Sequence, residues 1–293
     1  MTMIRATRRN GARRVDPRKV RHGRNQGDAM MIDSHCHFDF APFDADPAGY
    51  LAMARQAGVA ALVIPSVGER NWQRVQALSH QYDGVYYALG LHPFFSAEHR
   101  EASLELLAAQ LAQVAGGGAQ HDRKCVAVGE CGLDFAIAEA DRDQQLALLQ
   151  QQLILANTYQ LPVILHCRKA FPELVSLLKQ YPPVAGGVYH GFSGSLAQAQ
   201  QVVALGLKIG VGGTITYPRA NKTRKTVAAL PLEALVLETD APDMPVAGHQ
   251  GEPNRPDRLC HVLQSLVALR SESPREIESV TRLTTTELFR LSL

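Results

Sequence analysis

The stretch MIDSHCHFDF at residues 31–40 decides the fold, because it joins a short apolar start to two histidines two residues apart. Residues two apart on a β-strand point to the same side of the sheet. His35 and His37 can therefore meet at one metal ion, while Cys36 points the other way and packs. The stretch predicts a first buried strand that ends in a metal site.

Seven further apolar runs rich in Val, Ile and Leu follow, and patterns typical of helices separate them. This alternation indicates repeated βα units around a buried parallel sheet. The sequence therefore predicts an α/β fold of the TIM-like (β/α)8 barrel class, with an incomplete or distorted seven-stranded barrel as the alternative. No glycine-rich loop follows the first run, which argues against a dinucleotide site. The eight predicted strands are MIDSHCHF (31–38), VAALVIPSV (59–67), VYYALGLHP (85–93), CVAVGECGLD (125–134), LPVILHC (161–167), GGVYHGF (186–192), LKIGVGGTIT (207–216) and ALVLETDAP (234–242).

Two serines mark the starts of predicted helices near the end of the chain. Ser195 begins a Ser-x-x-Gln capping box that ends at Gln198. Ser273 is followed by Pro274 at the first helical position and by Glu276 two residues after the proline. The second of these signals opens a C-terminal helix.

Charge divides the chain into two unlike parts. Residues 1–30 carry nine Lys and Arg against two Asp, a net charge of +7, which leaves −5 on residues 31–293 of a chain whose total is +2. The first part lacks apolar periodicity, so we expect a basic, disordered extension ahead of one hydrolase barrel domain at 31–293. A basic arm of this kind can attract nucleic acid, but a poorly ordered extension or an over-long start assignment is the favoured interpretation, because Met30 and Met31 stand directly before the first strand.

The five cysteines form no C-x-x-C pair. An odd number of unpaired cysteines favours free thiols in a reducing compartment over a disulfide framework. No apolar run is long enough to span a bilayer, and the N-terminus lacks the apolar centre of a secretory signal. The sequence therefore predicts a cytoplasmic protein without a membrane role.

Residues of metal-ligating type stand at the ends of six predicted strands. A single His or Glu at such a place is more often a cap or a surface residue. Several imidazoles and carboxylates at one end of a barrel, however, would be electrostatically costly without cations to bind them. The residues are His35 and His37 at the end of strand one, His92 of strand three, Glu130 of strand four, His166 of strand five, His190 of strand six and Asp240 of strand eight.

Six ordered motifs resemble the TatD family of metal-dependent hydrolases and deoxyribonucleases, which are amidohydrolase-like barrels. The motifs are DSHCHFD, GLHP, VGECGLDF, LPVILHCRKA, YHGFSGS and LETDAPDM, and the resemblance runs from about residue 31 to the C-terminus. The segment GHQGEPNRPDRL (248–259) is similar to the variant found in the less characterised bacterial branch of that family.

The resemblance implies a two-metal site and roles for its residues. His35, His37 and Asp240 would hold one ion, His166 and His190 a second, and Glu130 would bridge them. Asp240 would accept a proton from the water that the metals activate, so Asp240 and Glu130 are the candidate catalytic residues. The family implies magnesium, whereas four histidines favour zinc or manganese.

Two further residues are candidates for binding substrate. Arg168 can bind phosphate with its planar guanidinium, and His92 could contact a phosphate or the leaving group. Asp134 is expected to orient a metal ligand or to brace the loop rather than to bind metal. A local basic rim could come from four residues after strand seven, with a solvated helix start as the alternative. Those residues are Arg219, Lys222, Arg224 and Lys225.

Three functions are compatible with these residues. The leading one is a deoxyribonuclease that removes nucleotides 3′ to 5′ from single-stranded DNA or RNA, because the family resemblance implies it. The enzyme alternative is hydrolysis of an amide, ester or lactone, and the non-enzyme alternative is a metal-binding regulatory barrel. Residues 31–293 are net acidic, and the sequence shows neither an aromatic stacking surface nor an obligate protein partner.

Overall fold

The computed structural model describes residues 31–100, 102–115, 122–138 and 141–293. The basic extension predicted at 1–30 lies outside the described residues. Eight strands form one sheet in the order β1 to β8, and each pairs in parallel with the next. The strands are β1 Met31–Asp33, β2 Val59–Pro65, β3 Val85–Leu89, β4 Cys125–Asp134, β5 Val163–Arg168, β6 Gly187–Tyr189, β7 Leu207–Val211 and β8 Leu235–Leu237.

Helices connect successive strands and cover the outside of the sheet. They are α1 Pro47–Gln56, α2 Glu69–Gln81, α3 Ser103–Ala115, α4 Arg142–Thr158, α5 Phe171–Gln180, α6 Leu196–Ala204, α7 Asn221–Ala229, α8 Leu259–Val267 and α9 Pro274–Phe289. None of those described is long and apolar enough to cross a membrane.

The sheet closes on itself where β8 meets the loop after β1. The Ser34 N–H donates to the Leu237 carbonyl at 2.9 Å, and the Asp240 N–H donates to the His35 carbonyl at 2.9 Å. Cys36 also pairs in parallel with Ala241. The barrel of eight strands is confirmed, and the seven-stranded alternative is wrong.

Apolar side chains fill the barrel interior in a cluster separate from the layer between strands and helices. Alternate strand residues such as Ile32, Val63 and Ile164 form it, and Phe289 and Leu291 from the end of the chain join them. The Tyr86 hydroxyl, near the start of β3, donates a hydrogen bond to the Ser292 carbonyl. The C-terminal segment thus packs at the end of the barrel where the strands begin, which leaves the opposite end free for a site.

Most predicted strands extend too far at their C-terminal ends. The strand predicted at 31–38 ends at Asp33, the one predicted at 85–93 ends at Leu89, and residues 213–216 form a 3-10 helix rather than strand. The polar residues leave the hydrogen-bond ladder as the chain turns over the barrel mouth. Among the predicted strands, the one at 125–134 has the bounds of β4.

Candidate metal centre

Glu130 stands at the centre of a cluster of five histidines in the barrel mouth. Its Oε2 atom lies 3.2 Å from His35 Nε2 and 3.4 Å from His37 Nε2. Its Oε1 atom lies 2.7 Å from His190 Nε2, 2.9 Å from His92 Nε2 and 3.2 Å from His166 Nδ1. The two oxygens of one buried carboxylate therefore face two different groups of ring nitrogens.

Asp240 completes the group around Oε2. Its Oδ1 atom lies 3.4 Å from His35 Nε2 and 3.8 Å from His37 Nε2. The residue has a φ of 55°, a left-handed conformation that Asp tolerates better than most residues. Burial raises the pKa of Asp240 above its usual range. The loop after β8 thus presents a carboxylate with increased proton affinity to the histidines of the β1 loop.

The local backbone of β4 brings Glu130 into this position. The register with β5 shifts between Val128 and Cys131, and the Glu130 N–H donates to the Ser66 carbonyl at 2.9 Å. Such a bulge re-aims a side chain within a sheet. Gly132 permits the close approach that follows, since a Cβ there would lie 1.9 Å from the His166 carbonyl oxygen.

The Glu130 carboxylate and the surrounding imidazoles shift one another's pKa values. Burial raises the pKa of Glu130, but His92, His190 and His35 outweigh this, so that its pKa lies well below the usual value. Burial lowers the pKa of His190, and the Glu130 carboxylate more than offsets this and raises it to about 10. Burial dominates at His35 and holds the pKa of that imidazole well below its usual value. Glu130 is therefore the anion of the centre.

Hydrogen bonding fixes the tautomer of His92. Its Nδ1 atom accepts the backbone N–H of Phe94 at 3.0 Å, and burial lowers the pKa of the ring to about 4. A neutral ring that accepts at Nδ1 carries its proton on Nε2. His92 then donates from Nε2 to Glu130 at 2.9 Å and orients the carboxylate.

Asp134 braces His166, as the sequence predicted for a residue that orients a ligand. Its Oδ2 atom lies 3.3 Å from His166 Nε2, while His166 Nδ1 faces Glu130. Burial lowers the pKa of His166, but the contacts to Asp134 and Glu130 more than offset this and raise it. A carboxylate behind the second ring nitrogen is the usual support of a metal-binding histidine.

Comparison with known proteins identifies the family. The model of the TatD related DNase family matches residues 32–290. The chain belongs to the TatD family, as its motifs indicated. It is 49% identical over 247 residues to the uncharacterized metal-dependent hydrolase YjjV of Escherichia coli, covering 84% of this chain and 93% of that protein. The crystal structure of that TatD homologue superposes with a TM-score of 0.86 at 47% identity, covering 90% of this chain and 99% of that one.

A relative that is named for its activity is more distant. The 3′-5′ ssDNA/RNA exonuclease TatD of Klebsiella pneumoniae is 32% identical over 265 residues, which cover 88% of this chain and 97% of that protein. The regions of this chain that align with the Escherichia coli and Klebsiella relatives thus cover most of the barrel.

The donor atoms of this TatD-family site fit divalent metal ions. Three overlapping sets bring their donor atoms within 4.8 Å of one another, namely His35, His37 and Asp240; His35, Glu130 and His190; and His92, Glu130 and His166. His35 Nε2 and His37 Nε2 also face each other at 3.3 Å, and Glu130 Oε2 has no hydrogen-bond partner among the described residues. Converging nitrogens around carboxylate oxygens suit zinc or manganese better than magnesium.

Sequence reasoning missed two buried acids that position these loops. Asp33 accepts the N–H of Thr239 at 2.9 Å, its hydroxyl at 2.6 Å and the N–H of His35 at 3.3 Å, so it ties β1 to β8. Glu238 accepts the Gly191 N–H at 2.6 Å, next to His190. Burial raises the pKa of Asp33 to about 7 and that of Glu238 to about 8. Strand parity was the available signal, because each lies two residues before a candidate ligand.

A cleft of about 280 Å³ opens above the metal centre. Arg168 is exposed at its edge, and its guanidinium makes no ion pair within the described part of the chain. The cleft lining also includes aromatic rings that the sequence did not indicate, namely Phe40, Phe94 and Phe95.

The basic rim predicted after strand seven does not line this cleft. Arg224 donates to the Ile215 carbonyl at 2.5 Å, and Arg219 lies over the ring of Tyr217 at 5.3 Å. Lys222 and Lys225 are exposed on α7. Of the predicted cations, Arg168 is therefore the one that faces the site.

Proposed function

We propose that this member of the TatD family is a 3′-5′ exonuclease that hydrolyses phosphodiester bonds at the ends of single-stranded DNA or RNA. The observation that carries the proposal is the division of the Glu130 carboxylate, whose two oxygens face two separate groups of histidines. A carboxylate so placed can bridge two metal ions, the arrangement used for in-line displacement at phosphorus.

The described residues divide naturally between two ions. His35, His37 and Asp240 would hold one, His166 and His190 the other, and Glu130 would contribute one oxygen to each. When bound, a pair of divalent ions lowers the pKa of water and offsets the charge that develops on phosphate oxygens. His92 stays outside both sets because its Nε2 proton is directed at Glu130.

Asp240 is the proton acceptor in this proposal. Its Oδ1 atom faces the histidines, whereas Oδ2 makes no hydrogen bond with the described residues, and the side chain lines the cleft. A carboxylate oxygen that faces the cleft without a hydrogen-bond partner among the described residues can accept a proton from water there. Water would attack phosphorus as Asp240 takes its proton, and the P–O3′ bond would break with its electron pair passing to O3′. That oxygen would take up a proton from solvent to give the new 3′-hydroxyl end, and the terminal nucleotide would leave as a 5′-monophosphate.

Arg168 supplies the charge that recognises the phosphate. Its guanidinium, which makes no ion pair with the described residues, lies at the edge of the cleft, two residues after His166. A planar guanidinium can donate two parallel hydrogen bonds to one phosphate. One local cation and two ions suffice for a strand end, so the net acidic character of residues 31–293 is compatible with the proposed substrate.

The size of the cleft and the more distant relative favour the end of a single strand. A cleft of about 280 Å³ lies just below the range of small-ligand sites, about 300–1,000 Å³, so it favours one terminal nucleotide over a longer stretch of strand. The Klebsiella relative is named as an exonuclease on single-stranded DNA and RNA. Hydrolysis of an amide, ester or lactone would use the same donors and is the competing outcome.

The test follows a 5′-labelled single-stranded oligonucleotide incubated with protein loaded with manganese or zinc. We expect a ladder of products that shorten from the 3′ end one nucleotide at a time, with duplex DNA cut more slowly. A parallel panel of lactone, ester and amide substrates should show weaker turnover. An intact oligonucleotide beside rapid turnover of a carbonyl substrate would contradict the proposal.

A further inference from the structure

The rim of the metal cleft carries an aromatic ring that is largely exposed. Phe94 follows Pro93 in the short 3-10 helix after β3, and 60% of it is exposed. It lines the same cleft as the metal centre and Arg168. A large exposed apolar side chain beside a polar site marks a place where a ligand contributes apolar surface.

The ring is held on a rigid support. The Phe94 N–H donates to His92 Nδ1 at 3.0 Å, and the other ring nitrogen of His92 lies against Glu130 at 2.9 Å. The neighbouring Phe95 ring meets Phe94 edge to face with centroids 5.1 Å apart. The Arg70 guanidinium carbon lies 4.0 Å from the centroid of the Phe95 ring, and its Nη1 atom donates to Glu98 Oε1 at 3.1 Å. Phe94 therefore has a fixed position relative to the proposed bridging carboxylate.

We propose that Phe94 is the stacking surface for the nucleobase of the terminal nucleotide, and that this contact makes the enzyme prefer ends that carry an unpaired base. The inference rests on the proposed nuclease function and deepens it. With the phosphate at Arg168 and the metal centre, the remaining polar edge of the cleft is acidic, since Asp243 and Asp134 line it. The exposed apolar face in the same cleft fits a flat, neutral heterocycle, and every nucleobase has such a face. A terminal base in a duplex stays paired with its partner strand, so it would have to unpair before it could enter the cleft alone.

The experiment compares two single-stranded oligonucleotides that differ at the 3′ end, one with a normal base and one with an abasic residue. In the Phe94→Ala variant, we expect the ratio of kcat/KM for the base-bearing end to that for the abasic end to fall about 5- to 150-fold. Phe94→Trp should keep the ratio. Val184→Ala, which removes another exposed apolar side chain far along the chain, is the matched control and should behave as wild type.

A binding measurement without turnover separates stacking from folding effects. An oligonucleotide with 2-aminopurine at its 3′ end and a terminal phosphorothioate linkage that resists hydrolysis is added to the metal-loaded protein. Its fluorescence should be quenched by wild type and by Phe94→Trp but not by Phe94→Ala at equal anisotropy. A ratio unchanged in Phe94→Ala, or quenching that persists, would overturn the stacking role and leave the nuclease proposal standing. If wild type neither binds nor cuts either oligonucleotide, the nuclease proposal itself fails, and the stacking role with it.

Discussion

Glu130 is the residue on which the account of the site depends. It is buried, its pKa is held below the usual value by the surrounding histidines, and each of its oxygens faces a separate group of donors. A neutral group of the same shape would keep the packing but lose the negative charge that the two proposed cations would share.

Replacing Glu130 by glutamine should reduce bound metal below two ions per chain, because an amide offers one oxygen and no charge. The measurement is elemental analysis of protein dialysed against a limiting concentration of manganese. Glu287→Gln is the control, since Glu287 is an exposed acid on α9. Two ions retained by Glu130→Gln would argue against a bridging role.

Replacing Asp240 by asparagine should lower kcat on an oligonucleotide by about 10²- to 10⁴-fold, the range for loss of a general base. Asparagine also tolerates the left-handed backbone found here, with φ of 55°, so the loop should keep its shape. Kinetics at saturating metal, with circular dichroism as a check on folding, measures the effect. Wild-type turnover in Asp240→Asn would remove this residue from the mechanism.

The sequence predicted which residues meet in the mouth but not how each is paired. His35, His37 and Asp240 could be predicted because residue type and strand parity survive even where the strand itself ends. The tautomer of His92 could not, because it depends on a backbone N–H from Phe94. Asp33 and Glu238 were missed although each lies two residues before a candidate ligand and so points to the same side of the strand. An acid that directly follows an apolar run looks like the polar residue that ends a strand, and nothing in the sequence shows that it is buried.

At the scale of elements, β4 and β5 set the geometry of the centre. The bulge in β4 presents Glu130, and His166 stands opposite on β5, where Gly132 allows contact between the backbones. The predicted helix starts were confirmed, because Ser195 accepts the N–H of Gln198 and Ser273 that of Glu276. Caps depend on neighbouring residues alone, whereas strand ends and bulges depend on partners distant in sequence. This is why the helix starts were predicted and the bulge was not.

Gly132→Ala should destabilise the protein by well over about 1 kcal/mol, because the backbone has φ of 147° and the new Cβ would lie 1.9 Å from the His166 carbonyl. Urea unfolding measures the change. Gly206→Ala is a matched control that shares a positive φ, 87°, but has open space around its Cβ, so its loss of stability should be smaller. Equal losses in both variants would show that the contact between β4 and β5 has no special importance.

At the scale of the whole molecule, the apolar residues that stabilise the barrel and the polar residues of the site lie at opposite ends. The end where the strands begin is filled by apolar side chains, with Phe289 and Leu291 packed among them, and the polar centre occupies the other end. Alternating apolar runs predicted this architecture from the sequence. The packing of Phe289 and Leu291 into the barrel was not predicted, because it depends on the tertiary contacts of the last residues rather than on their periodicity.

Phe289→Ala should lower the free energy of unfolding by about 3–5 kcal/mol through the cavity it leaves in the barrel interior. The metal content of the folded protein should stay at the wild-type level, because the centre lies at the other end. Leu283→Ala on the exposed side of α9 should change stability by no more than about 0.5 kcal/mol. Loss of metal from folded Phe289→Ala would show that packing at this end of the barrel affects the metal centre at the other end.

The most direct measurement of the central claim is anomalous diffraction from crystals of the protein loaded with manganese. The account predicts two anomalous peaks about 3.5–4 Å apart, one beside each oxygen of Glu130. The first should lie among His35, His37 and Asp240, and the second between His166 and His190. A single peak, or two peaks on the same side of the Glu130 carboxylate, would contradict it.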